Sequence, residues 1–275
     1  NTVQYRIRRL RKIVMKIHTI KGYINNLFIA EYDHGLLLLD GASPADLPVI
    51  ENFCIKTLNR PVSDIKLSVV THMHPDHSGA APLLRKKYGT RIAAYKHIDK
   101  WYKGPTGWLQ HILDCLMAQL VAMKQDTKIR KVFSQRITRP DFLVTGGDLL
   151  PDFPEWRVIY TPGHTAHDIA LFHAEKRILY CGDSIIVVKN RFYLPLPVIF
   201  KKKMRHSYKE LASLGASTIL IPHGETIHTD NSRDVFREML SLLDEPPNRL
   251  RRRVHYFSVW SPDIWKPTVR KLLFG

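Results

Sequence analysis

Cysteine is scarce in this chain, and long apolar runs are missing. The 275 residues include three cysteines, Cys54, Cys115 and Cys181, which lie far apart in the sequence. An odd number of widely spaced cysteines argues against a disulfide framework and favours a reducing compartment. No stretch approaches the roughly 18 uninterrupted apolar residues of a transmembrane helix. The sequence thus argues against both a disulfide-stapled secreted domain and a membrane-spanning protein.

Acidic residues are few as well. The chain has 25 Asp and Glu against 42 Lys and Arg, which gives a formal net charge of +17. Basic residues cluster at positions 6–12, 85–87, 201–205 and 249–253. Such an excess favours acidic partners: nucleic acid, an anionic lipid surface or an anionic substrate. A solvated basic face is the alternative, and no aromatic-plus-basic RNA motif accompanies the charge.

Length and composition bound the architecture. At 275 residues the chain is long enough for one large α/β domain or two small ones, and 44% apolar residues suffice for a sizeable core. No signal peptide is visible, which favours a cytoplasmic location. The sequence begins with Asn1 rather than Met, so a removed N-terminal leader or anchor stays open.

Strand-like and helical segments alternate along the chain. Period-two and short apolar patterns predict strands at 13–20, 26–32, 36–40, 65–70, 91–95, 156–161, 168–173, 177–181 and 218–221. Helical spacing predicts helices at 44–58, 78–88, 203–214 and 232–243. This alternation indicates a layered α/β fold.

Two apolar segments interrupt that alternation. Residues 103–125 are predicted to be a helix with a broad apolar arc. Residues 191–200 contain Pro195 and Pro197 and are therefore predicted to be neither regular helix nor central strand.

The stretch THMHPDH, residues 71–77, concentrates groups that bind metals. Side chains two apart on an extended chain point the same way, so His72 and His74 can face one ion. Pro75 then forces a turn, after which Asp76 and His77 can face a second point nearby. Imidazole and carboxylate together suit zinc and related transition ions.

Three later turns repeat the arrangement. His164, Asp183 and His223 each follow the end of a predicted strand in a tight turn. Functional loops of α/β folds gather at the carboxyl ends of strands, so these side chains are expected near the first four.

This set of residues resembles the metallo-β-lactamase superfamily, and the resemblance covers about residues 13–245. The HxHxDH motif, the three later turns and the early Leu39-Asp40-Gly41 all carry it. The resemblance implies an αββα sandwich with the metal cleft at one edge of the sheets and the apolar inserted segments near it. We expect residues 1–275 to be a single domain, with a basic N-terminal arm and a C-terminal extension at 246–275.

The resemblance also implies two divalent metal ions, with zinc favoured. By the family pattern His72, His74 and His164 hold one ion, Asp76, His77 and His223 hold the other, and Asp183 bridges both. The implied activity is that of a metal-dependent hydrolase whose ions share an attacking hydroxide. Asp76 and Asp183 are the residues expected to act in catalysis. His167 is expected to be structural rather than a substrate contact, and Asp168 is a candidate acceptor for a ligand histidine.

Differences between this sequence and known branches of the family reduce the number of candidate substrate classes. An aspartate at position 183 disfavours β-lactamase activity, and the Cys-Gly-His-Glu-Tyr stretch of the glutathione-thioesterase branch is absent. Acyl-homoserine-lactone hydrolases carry a tyrosine soon after the bridging aspartate, and here the nearest is Tyr193. We therefore expect the substrate to be a small-molecule ester, thioester or lactone with an apolar part, acyl homoserine lactones included. The two apolar segments are expected to form a hydrophobic roof over that apolar part. Replacing Ile112 or Leu116 by serine would test this roof.

Other classes remain alternatives. A phosphodiesterase acting on nucleic acid or phospholipid would suit the positive charge, although nucleic acid is not the favoured partner. A ligand-binding member of the fold is a third class. The basic segments 6–12 and 249–253 would suit peripheral contact with an anionic membrane. The two apolar segments would alternatively pack on each other or form a homodimer interface.

Overall fold

The computed structural model describes residues 15–125 and 129–264. The predicted basic arm at 6–12, the start of the first strand and residues 265–275 of the C-terminal extension lie outside these ranges. The assignment of the whole chain to one domain stays a prediction. No helix in the described ranges has both the length and the apolar character needed to cross a membrane.

Two six-stranded sheets form the centre of the fold. The strands of the first sheet are β1 (Lys16–Lys21), β2 (Asn26–Tyr32), β3 (Gly35–Leu38), β4 (Ile65–Val70), β5 (Arg91–Tyr95) and β6 (Phe142–Val144). Those of the second are β7 (Leu149–Leu150), β8 (Phe153–Tyr160), β9 (Ile169–His173), β10 (Ile178–Tyr180), β13 (Thr218–Leu220) and β14 (Ile227–His228). The first sheet has the order β1-β2-β3-β4-β5-β6, and the second has the order β14-β13-β10-β9-β8-β7. A separate hairpin pairs β11 (Ile186–Val188) with β12 (Arg191–Tyr193).

The described ranges contain seven α-helices. They are α1 (Leu47–Asn52), α2 (Pro75–Ser78), α3 (Ala81–Tyr88), α4 (Gly104–Gln125), α5 (Lys201–Ser213), α6 (Ser232–Asp244) and α7 (Arg249–Phe257). A π-helical turn, Phe53–Thr57, extends α1. Helix α7, the hairpin and the short strands β6 and β7 were not anticipated from the sequence.

The four leucines at 36–39 show how the layers form. Successive side chains of a strand point to opposite faces. Leu37 accordingly packs between the two sheets with Trp156, while Leu36 packs on the outer side with Ile50 of α1. A third cluster packs the outer face of the second sheet against α5 and α6, including Met204 and Phe236. The order helix, sheet, sheet, helix confirms the predicted αββα sandwich.

The predicted helix at 78–88 begins three residues later, as α3 at Ala81, and a separate short helix, α2, precedes it. The Ala80 amide donates to the carbonyl oxygens of Gly41 and Ala42, each at 3.0 Å, instead of continuing the helical ladder. The chain therefore breaks between α2 and α3, and this break is bonded to the loop after β3. All three cysteines are buried and free, as expected.

Candidate metal centre

The seven predicted ligand residues lie at one end of the sandwich. They come from four loops that follow the carboxyl ends of β4, β8, β10 and β13. Strands β8 and β10 both run antiparallel to β9, and β13 is parallel to β10, so three of these loops leave the second sheet at the same edge. Chain direction therefore brings residues such as His77 and His223, which are 146 positions apart, into one site.

The loop after β4 presents its four residues through a change of backbone geometry. His72 and His74 lie in the bend that follows β4, and His74 is the N-cap of α2, with φ −59° and ψ 146°. Pro75 occupies the first position of the helix, where its missing N–H costs nothing. Asp76 and His77 follow in the first turn, and the Asn25 amide donates to the Asp76 carbonyl at 3.0 Å. The predicted two-point arrangement is thus present.

The loop that carries His164 is closed by Asp168. Its carboxylate accepts hydrogen bonds from the amides of Gly163 and Thr165 and from the Thr165 hydroxyl, at 2.6 to 3.1 Å. The prediction that Asp168 accepts from a ligand histidine was wrong, because these short-range donors occupy it. His167 is buried and accepts from the Met73 amide at 3.0 Å, which confirms its structural role.

Short turns present Asp183 and His223. Asp183 lies in a single 3-10 turn, Gly182–Ser184, directly after β10. Beyond His223, Gly224 has a φ of 148°, and a Cβ there would lie 2.5 Å from the Val187 carbonyl oxygen. Only glycine fits so strained and crowded a position. The His223 carbonyl accepts from the Val187 amide at 2.8 Å, which ties this turn to the hairpin.

Three imidazoles and one carboxylate form the first group. His74 Nδ1 lies 3.1 Å from His72 Nε2 and 2.9 Å from His164 Nε2. Asp183 Oδ2 lies 3.5 Å from His164 Nε2. The four candidate ligand atoms of His72, His74, His164 and Asp183 all lie within 4.8 Å of one another, an arrangement that could hold a metal ion.

Asp76, His77 and His223 form a second group of the same kind. Asp76 Oδ2 lies 3.4 Å from His77 Nε2 and 3.2 Å from His223 Nε2. The other oxygen of Asp183, Oδ1, lies 3.2 Å from His77 Nε2 and 3.4 Å from His223 Nε2. Asp183 therefore directs one carboxylate oxygen at each group.

Burial and the neighbouring charges shift the pKa values of the ligand residues, and they leave His72 and His74 neutral and Asp76 and Asp183 ionised, as metal binding requires. Burial and neighbouring histidines lower the pKa of His72 and His74 well below its ordinary value, so both imidazoles are neutral. Burial opposes ionisation of Asp76 and Asp183, but His77 and His223 outweigh it and lower both pKa values. Burial also lowers the pKa of His77, but Asp183, Asp76 and Asp40 together raise it well above its ordinary value. Burial lowers the pKa of His223 as well, but Asp183 and Asp76 outweigh it and raise that pKa, so the carboxylates draw protons onto both histidines of the second group, a place that a metal cation would take.

The donor set fits metal ions. Tetrahedral ligands about 2.0 to 2.1 Å from zinc lie roughly 3.3 Å apart, close to the distances within both groups. Asp183 Oδ1 is buried without a hydrogen-bond partner even though two ring nitrogens lie near it. Ligands converging on an ion have this geometry, and imidazole with carboxylate suits first-row transition ions.

Asp40 supports the site from behind. Its Oδ2 accepts from His77 Nδ1 at 2.6 Å, the Tyr180 hydroxyl at 2.7 Å and the Thr71 hydroxyl at 2.8 Å. Its Oδ1 accepts from the amides of Gly41 and Thr71. The bond to Nδ1 leaves His77 Nε2 facing the second group, so the early aspartate of the sequence pattern has a structural role here.

Asp114 is a residue that the sequence reasoning missed. It lies on α4, is buried, and its Oδ2 is 3.7 Å from His74 Nε2. It accepts from the Tyr102 hydroxyl at 2.7 Å and the Gln110 amide at 2.8 Å. Burial raises its pKa to about 7. No other Asp, Glu, Lys or Arg occurs between positions 104 and 123, and that isolation in an apolar helix was the available signal.

A cleft of about 710 Å³ adjoins both groups. His74, Asp76, Asp183 and His223 lie in its wall. Its apolar lining consists mainly of Ile24, Met117, Ala118, Val121, Ile186, Val187, Val188, Leu196, Pro197, Leu250 and Val254. Both predicted apolar segments thus contribute to the wall, and the Pro197 carbonyl also accepts from His164 Nδ1 at 2.6 Å.

The cleft corrects two details of the sequence interpretation. Ile112 and Leu116 do not line it, because that side of α4 faces away, so they are not the residues that test the roof. Tyr193 lies half-exposed on β12 and does not line it either.

Comparison with known proteins places this geometry in a family. The profile described as "Metallo-beta-lactamase superfamily" matches residues 20–223. The chain belongs to the metallo-β-lactamase superfamily. This confirms the family predicted from the sequence motifs. The family is one of hydrolytic enzymes, so the prediction of a metal-dependent hydrolase is confirmed at this level.

Individual relatives have low sequence identity to this chain, but the alignments cover more than half of its length. The chain is 23% identical over 248 residues to a "Probable metallo-hydrolase YflN" of Bacillus subtilis, covering 82% of this chain and 90% of that one. It is 26% identical over 169 residues to a hydroxyacylglutathione hydrolase of Ectopseudomonas mendocina, covering 60% of this chain and 49% of the relative. It therefore spans about half the length of that relative.

The fold also matches solved structures. A metallo-β-lactamase family protein of Thermus thermophilus, TTHA1429, superposes with a TM-score of 0.65 over 92% of this chain and 93% of that chain. The two sequences are 18% identical. A structural match at this sequence identity supports the fold. The substrate has to be inferred from the residues that line the cleft.

Proposed function

We propose that this protein is a dinuclear metal-dependent hydrolase that cleaves a thioester or ester carrying an apolar acyl group. The observation that carries the proposal is the apolar cleft of about 710 Å³ that begins at the two ligand groups. Pockets of this size bury most of a small ligand, and their few polar groups orient it. A buried acyl chain gains roughly 0.8 kcal/mol per methylene.

The proposed ligand assignment follows the two groups. His72, His74 and His164 hold the first ion, Asp76, His77 and His223 hold the second, and Asp183 contributes one oxygen to each. The mixed nitrogen and oxygen ligands favour zinc. Bound divalent ions would supply a lowered pKa for an attacking water and polarisation of the scissile carbonyl.

The chain's own residues orient the reaction. Asp76 lies in the cleft wall, where its carboxylate accepts a hydrogen bond from the attacking water and aims it at the carbonyl carbon. Asp40 fixes the orientation of the His77 ring, and the Pro197 carbonyl fixes that of the His164 ring. Met117 and Val121 cover the acyl chain and exclude bulk water from it.

We propose thioesters and open-chain esters, rather than lactones, as substrates because of the residues that line the cleft. No tyrosine of the described residues lines the cleft, whereas the lactonase resemblance called for one after Asp183. The hydroxyacylglutathione hydrolase relative, by its name, acts on a thioester. This chain lacks the Cys-Gly-His-Glu-Tyr stretch of that branch, so a carrier other than glutathione is proposed.

A substrate panel at constant pH tests the proposal. Metal-loaded protein is expected to release acid from long-chain acyl thioesters and esters faster than from acyl homoserine lactones. Hydrolysis of a phosphodiester is the alternative that the charge of +17 favours, and it should fall with added salt. Turnover of phosphodiesters with none of acyl substrates would overturn the proposal.

A second prediction concerns chain length. Replacing Val121 by tryptophan is expected to fill the cleft and lower kcat/KM for long-chain substrates about tenfold or more, with short-chain substrates little affected. The matched control is Leu120→Trp, since Leu120 is adjacent in the helix but does not line the cleft. Equal effects of the two variants on long chains would contradict the role assigned to Val121. The readout is the ratio of kcat/KM for long and short acyl chains.

A further inference from the structure

Helix α4 has an outer surface that is unusual for a soluble protein. Trp108, Leu116, Leu120 and Met123 lie at helical spacing along it and form what we term the outer stripe. Their exposures are 53%, 48%, 55% and 48%, respectively. Nothing within the described part of the chain covers them. Exposed apolar patches of this kind mark sites of association with another apolar surface.

The same surface carries no Asp, Glu, Lys or Arg. Between Gly104 and Met123 the one residue of these types is Asp114, which is buried on the inner side. Charges return at the ends of the helix, with Lys103 before it and Lys124 in its last turn. An ordinary surface helix has charged and polar side chains on its solvent face. The helix does not meet the requirements of a membrane span, so a surface position is the relevant one.

A strongly basic helix packs against the inner side of α4. Helix α7 (Arg249–Phe257) holds four arginines and no acidic residue, and it also exposes Tyr256 and Phe257. Gln110 of α4 joins the two elements, because its side chain contacts the Phe257 carbonyl at 3.4 Å and accepts from the Trp260 amide at 2.9 Å. Both helices line the cleft. An uncharged apolar stripe and a cationic, aromatic helix therefore belong to one end of the molecule.

We propose that the outer stripe and α7 dock this protein on an anionic lipid surface. Apolar side chains would enter the boundary between headgroups and acyl chains, aromatic rings would sit at headgroup level, and the arginines would face the anionic headgroups. A second copy of this chain is the poorer occupant, because it brings the same net charge of +17 and the two would repel.

Vesicle binding tests the proposal without any use of turnover. The full chain is mixed with phosphatidylcholine vesicles with or without phosphatidylglycerol and sedimented. Wild type is expected to bind the anionic vesicles, to bind the neutral ones weakly, and to lose affinity as salt screens the charge. The Leu116→Ser/Leu120→Ser variant is expected to bind at least about tenfold more weakly.

Ile55→Ser/Leu143→Ser is the matched control. These residues are as exposed as the stripe, at 56% and 62%, but belong to other elements. Binding of this variant should equal that of wild type. A fluorescence blue shift on binding that disappears in Trp108→Phe would place the stripe itself in lipid. Equal binding by the stripe variant and the control would overturn the proposal, as would no vesicle binding by wild type. A dimer that dissociates in the stripe variant would assign the stripe to a second copy instead.

Discussion

Replacing Asp183 by asparagine is expected to lower kcat for acyl hydrolysis more than about 100-fold. Partners outside the ligand set already contribute about 10- to 100-fold in metal affinity or activity, and Asp183 is the one carboxylate that faces both groups. Its Oδ2 lies 3.5 Å from His164 Nε2 and its Oδ1 lies 3.2 Å from His77 Nε2. Asparagine keeps the shape but removes the negative charge, and one of its two ends becomes a donor that cannot ligate.

Metal content provides the second readout for this variant. Wild type is expected to bind two equivalents of divalent ion, and Asp183→Asn to bind fewer, measured by elemental analysis after dialysis. Asp46→Asn is the control, because Asp46 is also a buried carboxylate but accepts its hydrogen bonds from Tyr23 and Ser43, outside the loops that carry the candidate ligands. An Asp183→Asn protein that keeps both ions and its activity would contradict the assignment of Asp183.

Replacing Asp40 by alanine is expected to lower the free energy of unfolding of the metal-free protein by about 3 to 5 kcal/mol. The substitution removes the acceptor for five hydrogen bonds and leaves the buried His77 Nδ1, Thr71 hydroxyl and Tyr180 hydroxyl without it. Because the ring of His77 also loses the partner that orients it, affinity for the second ion should fall by about 10- to 100-fold. Chemical denaturation measures the first effect, and competition with a chromophoric chelator measures the second.

Asp46→Ala separates these two effects. Asp46 is a buried carboxylate too, and it accepts from the amides of Tyr23 and Ser43 and from the Ser43 hydroxyl. Its loss should destabilise the fold by about 1 to 3 kcal/mol and leave metal affinity nearly unchanged. If both variants lowered metal affinity equally, the effect would be one of general stability, and the positioning role of Asp40 would be wrong.

Much of the fold was predictable because local patterns specify it. The strands at 65–70 and 91–95 appear in the structure with the predicted bounds, as β4 and β5. Strongly periodic apolar runs of this kind bury one or both faces in almost any packing. The short strands β6 and β7 escaped prediction because two or three residues carry no period. The break between α2 and α3 escaped because it depends on the Ala80 amide reaching Gly41 and Ala42, a tertiary contact.

The candidate site, like the fold, was predictable from the sequence only in part. The residue types and spacings of residues 72–77, with three later turns after strands, were enough to predict the seven clustered side chains. The partners of those side chains were not predictable. Asp114 lies near His74 only because α4 packs with that face inward. The apolar arc of α4 is broad, so the sequence does not determine the rotation of the helix about its own axis.

The amino-acid sequence alone was sufficient to predict the family, the αββα order and the seven candidate ligands that cluster in the structure. The clustering of the candidate ligands follows from short-range spacing and strand direction, which a linear pattern encodes. The αββα order was implied by the resemblance to the family. The tertiary structure was required for the five hydrogen bonds that Asp40 accepts, the approach of Asp114 to His74, and the choice of Val121 rather than Leu116 as a cleft residue. These depend on how distant elements rotate and close on one another, and a rotation of α4 by less than half a turn would exchange its cleft-lining side for its outer stripe.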